Sequence, residues 1–242
     1  MVELLHGVFL VLIGLGAGFI QRVSGFGLGI FAMMFLPHFL PTHTAAAAIS
    51  CLFSCATSTY NAVRYRKDIV FKTALPMLIA ALAAIPLAVI FSSAISGAFF
   101  EMLLGGVLIV LSLYFLFFNS RIRIRPTIPN GLLAGGISGI LNGLFSTGGP
   151  PVVLYLSCAT DSNIAYFATI QFFFSVTNLY ATAVRVFNGD ITGTVLLYSL
   201  IGIAGCMAGD LLGRLVFDKL DANRLKYIIY IGMIISGLIM FF

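Results

Sequence analysis

Long apolar blocks alternate with short polar breaks along this chain. The first block runs Leu4–Ile20, and others fill Thr73–Phe91, Phe99–Phe118, Thr192–Val216 and Leu225–Phe242. Several approach the roughly 20 residues of helix that cross a hydrocarbon core of about 30 Å. The blocks are continuous rather than alternating with period two, which predicts membrane helices and argues against a β-barrel. Two segments depart from the pattern. Arg22–Phe31 reads RVSGFGLGIF and Leu144–Val153 reads LFSTGGPPVV, so glycine and proline interrupt apolar stretches where a crossing helix is expected.

The flanks of the second break are short. Gly131–Leu144 makes roughly 21 Å of helix and Val152–Ala159 roughly 12 Å, so neither arm need cross the core by itself. A break at Ser146–Gly149 then lies inside the membrane. Irregular backbone is tolerated there only when packed in protein or lining a polar cavity.

Divided at its most polar linker, Asn119–Gly131, the chain shows two halves with one plan. Sliding by 122 residues (146 − 24) sets Ser24 on Ser146, Phe26-Gly27 on Gly148-Gly149 and Asp68 on Asp190. NAVRYRKDI (Asn61–Ile69) resembles TAVRVFNGDI (Thr182–Ile191) with one insertion. Landmarks recurring in one order indicate an internal repeat. The predicted organisation is a first membrane repeat over 1–120, a cytoplasmic linker over 121–129 and a second repeat over 130–242.

Charge sets the orientation. All Lys and Arg except Arg22 and Arg185 cluster in three places: Arg64–Lys72, the central linker, and Arg214–Lys226. If each broken segment enters and returns on one side, all three clusters become cytoplasmic, as the positive-inside rule asks. The loop Ser92–Glu101 has no basic residue while its counterpart Asp218–Lys226 is basic. The expected fold is therefore an all-α polytopic membrane protein of two inverted repeats, each a broken helical hairpin plus three transmembrane helices. A parallel repeat with four crossings per half is the alternative.

Composition fits. The chain has 242 residues, 60% hydrophobic and 9% charged, with a mean hydropathy of +1.10. The first block lacks a basic leader and reads as structural rather than as a cleaved signal. The net charge of +5 sits in membrane-flanking loops and gives no reason to invoke nucleic acid. Cys51, Cys55, Cys158 and Cys206 form no C-x-x-C pair and read as packing residues. The three scattered histidines form no metal site, and no cofactor is expected; His38 and His43 read as loop residues around Pro41.

The breaks carry the candidate chemistry. Pro150 and Pro151 suit the first turn of a helix, Gly148 and Gly149 allow close backbone approach, and Ser146 and Thr147 offer hydroxyls. A half-helix starting there aims free N–H groups and a positive dipole end at one spot, which favours an anion. Ser24, Gly25, Phe26 and Gly27 repeat the arrangement, with Gly29 following. Arg22 is a charge within a membrane segment; it either neutralises an anion between the tips or reaches the interface. Gln21, Asn142 and Gln171 are uncharged groups that complete a polar cavity or bond between helices. Arg64 and Arg185 read as interfacial anchors, Asp210 and Arg214 as a local ion pair. Gly14, Gly18, Gly135 and Gly139 read as helix-packing glycines.

The paired breaks SGFGLGIF and STGGPPVV, each followed by a helix ending in YNAVRYRKDI or YATAVRVFNGDI, resemble those of the sulfite exporter TauE/SafE family. The resemblance covers nearly the whole chain. It implies a secondary transporter that moves sulfite or a small organosulfonate, commonly outward, across the bacterial inner membrane. The expected partners are a small anionic substrate and the lipid bilayer, with a homodimer allowed. Two other functions remain open: a passive anion channel, and an intramembrane enzyme with Ser24 or Ser146 as nucleophile, which needs a base on a neighbouring helix.

Overall fold

The computed structural model describes residues 2–117, 124–216, 231 and 233–240. Predictions that fall on Arg121, Arg123 and the loop Asp218–Lys226 lie outside the described residues. The described elements are helices. They are α1 (Val2–Ser24), α2 (Leu28–Phe39), α3 (His43–Arg64), α4 (Phe71–Ala94), α5 (Gly97–Phe117), α6 (Ile128–Phe145), α7 (Gly149–Ala159), α8 (Asn163–Phe187) and α9 (Gly193–Val216). A further stretch, α10, covers 233–239. Helix α6 begins inside the segment read as linker, because Pro129 can occupy a helical first turn. His38 lies in the last turn of α2 and His43 opens α3, so neither is a loop residue as the sequence suggested.

Helices α1, α4, α5, α6, α8 and α9 are long and apolar enough to cross a membrane, and α2 and α7 are shorter apolar helices. Their outward faces carry exposed residues such as Leu87, Leu133 and Leu200, suited to lipid contact. Helix α3 is as long as its neighbours but less apolar. Its Ser50, Ser54, Thr57, Ser58 and Asn61 are all buried, so it meets protein rather than lipid.

At both breaks the chain doubles back. Phe9 of α1 stacks on Phe39 of α2 with ring centroids 5.0 Å apart, while Ile20 lies beside Gly27. Tyr155 of α7 donates to the Thr127 carbonyl at 3.2 Å, and Ser138 of α6 to that of Gly148 at 2.5 Å. Each broken segment is therefore a helical hairpin.

The halves then exchange partners. Helix α1 packs along α9 and α6 along α4, while α3 packs on α8. Small residues set these spacings. A Cβ at Gly14, Gly18, Gly205 or Gly209 would strike backbone across the α1–α9 seam, and one at Gly135 or Gly139 would strike α4. Register gives direction. Gly135 lies against Met77, Gly139 against Ala81 and Gly143 against Ile85, so α6 and α4 run parallel. By the same argument, Gly14 against Gly202 and Gly213 against Arg22 make α1 and α9 parallel. Helices α3 and α8 run antiparallel: Cys51 meets Thr182, Thr59 meets Ser175 and Tyr65 meets Phe167. Thr42 and Ser162 cap these two helices in the same way, each accepting from the backbone N–H three residues on.

Candidate substrate site

The hairpin tips meet where α3 and α8 cross. Tip one turns through Gly25 and Gly27, with φ of 81° and 95°, a region open to glycine without steric cost. Tip two turns at Ser146, whose φ is 55°. Its N–H donates to the Asn142 carbonyl at 2.9 Å, and the Thr147 N–H donates to that of Leu141 at 3.3 Å. The tips interlock. A Cβ on Gly149 would lie 3.1 Å from the Phe26 ring, and one on Gly29 would collide with the Ser146 carbonyl oxygen.

Between them lies a cavity of about 20 Å³, room for about one water. Its wall takes Phe26, Gly27, Leu28, Gly29 and Ile30 from hairpin one and Asn142, Ser146, Thr147, Gly148 and Gly149 from hairpin two. Gln21, Ser54, Phe174 and Asn178 complete it. No carboxylate of the described residues lines it. A larger cavity of about 400 Å³ between α5, α6 and α7 is walled by apolar residues such as Val110, Leu133 and Leu154 and offers an anion little.

Most polar groups around the small cavity already have partners. Gln21 donates to Ser58 Oγ and to Gln171 Oε1, both at 3.0 Å, and accepts from Thr57 Oγ1 at 2.7 Å. Asn178 donates to Ser54 Oγ at 3.0 Å. Two groups do not: Asn142 Nδ2 and Thr147 Oγ1 are buried and have no partner among the described residues. The first turn of α2 adds the backbone N–H groups of Leu28, Gly29 and Ile30, which have no intrahelical acceptor and no side-chain cap. Helix α7 contributes fewer, because Pro150 and Pro151 carry no N–H.

The structure thus brings Phe26, Gly27, Asn142, Ser146, Thr147, Gly148 and Gly149 to one wall. Four other sequence candidates lie elsewhere. Ser24 donates its hydroxyl to the Ile20 carbonyl at 2.7 Å, closing its own turn. Gly25 offers its carbonyl to Gln171 Nε2 at 2.8 Å, and neither residue reaches the cavity wall. Arg22 points away from the cavity: it donates to Tyr65 OH at 2.8 Å and lies 4.8 Å over the Phe167 ring. Burial pushes the Tyr65 phenol up, but the Arg22 hydrogen bond and charge, together with Arg64 and Arg214, hold it below its usual value. Ser146 donates its hydroxyl to the Ala47 carbonyl at 2.8 Å, so both tip serines are engaged in holding backbone rather than poised as nucleophiles.

Two features escaped the sequence reading. Arg185 is no interfacial anchor: it is 0% exposed, donates to the Gly143 carbonyl at the end of α6 and pairs with Asp190 at 3.4 Å. Asp210 and Arg214 form the expected pair, but Asn61 of α3 joins them, donating to Asp210 at 2.9 Å and accepting from Arg214 at 3.2 Å. The four cysteines are free. Among the described residues no cluster could hold a metal ion.

Apolar helices of spanning length enclosing a buried polar centre define a multi-pass membrane protein. Comparison of the sequence with known families gives the assignment. The family described as "Sulfite exporter TauE/SafE" matches residues 10–240, and the chain belongs to it. This is a family of transporters and not of enzymes. The chain is also 24% identical, over 228 residues, to the "Probable sulfite/organosulfonate exporter TauE" of Cupriavidus necator; the match covers 90% of this chain and 89% of that relative. No solved structure matches the chain significantly.

Proposed function

We propose that the protein is a secondary transporter that exports a small sulfur oxyanion or organosulfonate across the bacterial cytoplasmic membrane, holding the anion between its two hairpin tips. One observation carries this reading: a buried cavity without a carboxylate, into which two unpaired side-chain donors and an uncapped helix N-terminus open. Buried polar groups left unpaired cost free energy, and an anion meets all of these donors at once. The Cupriavidus relative's name supplies the substrate class.

The repeat is read as inverted. Helices α3 and α8 are repeat equivalents, and in a parallel repeat they would run the same way; their antiparallel register supports inversion. With both hairpins re-entrant, Arg64–Lys72, the central linker and the Arg214 end of α9 share the cytoplasmic side. A cavity with room for about one water favours a carrier over an open channel, because the tips must part before an anion fits.

Sulfite and sulfoacetate flux in proteoliposomes tests the reading. The expected flux saturates, is accelerated by unlabelled substrate on the opposite side, and collapses in Asn142→Ala. Non-saturating flux without counterflow, or normal transport in Asn142→Ala, overturns it.

A further inference from the structure

Arg22 and Arg214 both lie against the C-terminal end of α3, Arg22 on Tyr65 and Arg214 on Tyr60 and Asn61. The Arg22 side chain lies along α9 against Gly213, where an added Cβ would come within 2.8 Å of the Arg22 Cβ. Gly213 therefore admits the arginine stem beside Arg214. Arg22 is flanked by the Tyr65 and Phe167 rings, at 5.3 and 4.8 Å. Arg214 lies 5.0 Å over the Tyr60 ring and is fixed by Asp210 and Asn61. Asp210 is committed to Arg214 and Asn61, and the ion pairs among the described residues are Arg185–Asp190 and Arg214–Asp210, so no described carboxylate pairs with Arg22. Arg22 Nη1 and Arg214 Nε are buried and have no partner among the described residues. The cluster sits at the C-terminal end of α3, beside exposed Arg64, Arg66 and Lys67.

We propose that Arg22 and Arg214, walled by Tyr65 and Phe167, form a second anion site, a cytoplasmic vestibule that captures an organosulfonate before it reaches the cavity between the tips. The unpaired guanidinium N–H groups take the sulfonate oxygens. The rings take the short organic part, and the exposed basic turn draws anions toward the mouth. The proposal rests on the transporter reading and adds a sidedness to it: the vestibule serves one face of the membrane only.

Sulfoacetate transport by protein of known orientation in proteoliposomes tests this. Arg22→Gln is expected to raise the half-saturation concentration about tenfold or more from the cytoplasmic face. Its maximal rate is retained, and half-saturation from the opposite face is unchanged. Arg22→Lys keeps the charge without the planar fork and falls between the two. It reads the same split if the glutamine variant proves unstable. Equal effects on both faces, or none, overturn the proposal. So does an Arg22→Gln effect that vanishes in vesicles lacking anionic lipid, which makes the cluster a lipid headgroup site. Asn142→Ala is the separate control, expected to abolish transport from both faces. If it is silent while Arg22→Gln shows the split, the midplane reading fails and the vestibule stands.

Discussion

Replacing Thr147 by Val exchanges a hydroxyl for a methyl of nearly the same shape at a site 2% exposed. Where the hydroxyl is hydrogen-bonded, that change destabilises. Here the opposite sign is expected, because the Thr147 hydroxyl has no partner. A buried hydroxyl without a hydrogen bond costs about 1–3 kcal/mol, a cost removed with the group itself. The cavity has room for about one water, which meets part of the need. The expected gain is therefore about 1 kcal/mol, or a few degrees in melting temperature. Ser138→Ala is the matched control. Ser138 is 1% exposed, and its hydroxyl donates to the Gly148 carbonyl at 2.5 Å. Removing it takes a buried hydrogen bond from the Gly148 carbonyl and is expected to cost about 0.5–1.5 kcal/mol.

Function should move the other way. A hydrogen bond to a charged group contributes about 1.5–3 kcal/mol, so Thr147→Val should weaken anion binding by about 10- to 150-fold. Both quantities come from one purified sample: thermal unfolding in detergent without substrate, then titration with sulfite or sulfoacetate. Gaining stability while losing affinity is the signature of a group kept for a ligand. A Thr147→Val variant that unfolds more easily by 1 kcal/mol or more, or binds as the wild type does, refutes the reasoning.

Two further predictions follow from the packing. Arg185→Met should cost about 3–5 kcal/mol, since it strands the Gly143 carbonyl and leaves Asp190, 7% exposed, without its cation; adding Asp190→Asn should recover part of that loss in the same melting assay, and a double variant no better than the single contradicts the pairing. Gly135→Ala should destabilise by about 1–3 kcal/mol because its Cβ meets the Met77 backbone, whereas Gly136→Ala, with only Ala80 Cβ at 3.9 Å, should be neutral or gain up to about 1 kcal/mol from helix propensity, as denaturation of both variants will show.

The hairpin tips were legible because their signals are local. Glycine at positive φ, proline in a first turn and a short apolar arm all act within a few residues. For Arg22 the sequence left both the space between the tips and the interface open, and helical phase decides between them. Successive helical residues differ by about 100° around the axis. Gln21 therefore faces the interior and Arg22 faces α9, a distinction that needs the helical phase and the identity of the neighbouring helix. Arg185 needed more. Its acceptor, Gly143, is distant in sequence, and its burial follows from α3 and α8 forming the centre of the fold. The polar stripe Ser50, Ser54, Thr57 and Asn61 on α3 was the available signal for that centre, since a long helix so rich in hydroxyls between apolar ones must face protein.

The two hairpins match in backbone course but not in the donors they offer. Hairpin one provides the N–H groups of Leu28, Gly29 and Ile30 from an uncapped turn. In hairpin two, Pro150 and Pro151 remove two such groups, and the unpaired donors are the Asn142 and Thr147 side chains. Neither tip alone surrounds an anion. Under the proposed reading, a bound anion joins the halves by taking backbone donors from one and side-chain donors from the other. Its departure leaves the tips held by Phe26 on Gly149 and by Ser146 on Gly29. Opening the site breaks this packing and, where the tips shift against α3 and α8, the bonds from Ser146 to the Ala47 carbonyl and from Gln171 to the Gly25 carbonyl. The barrier to loading then depends on how far the glycines let the tips close, and the affinity depends on the donors that closing leaves unpaired.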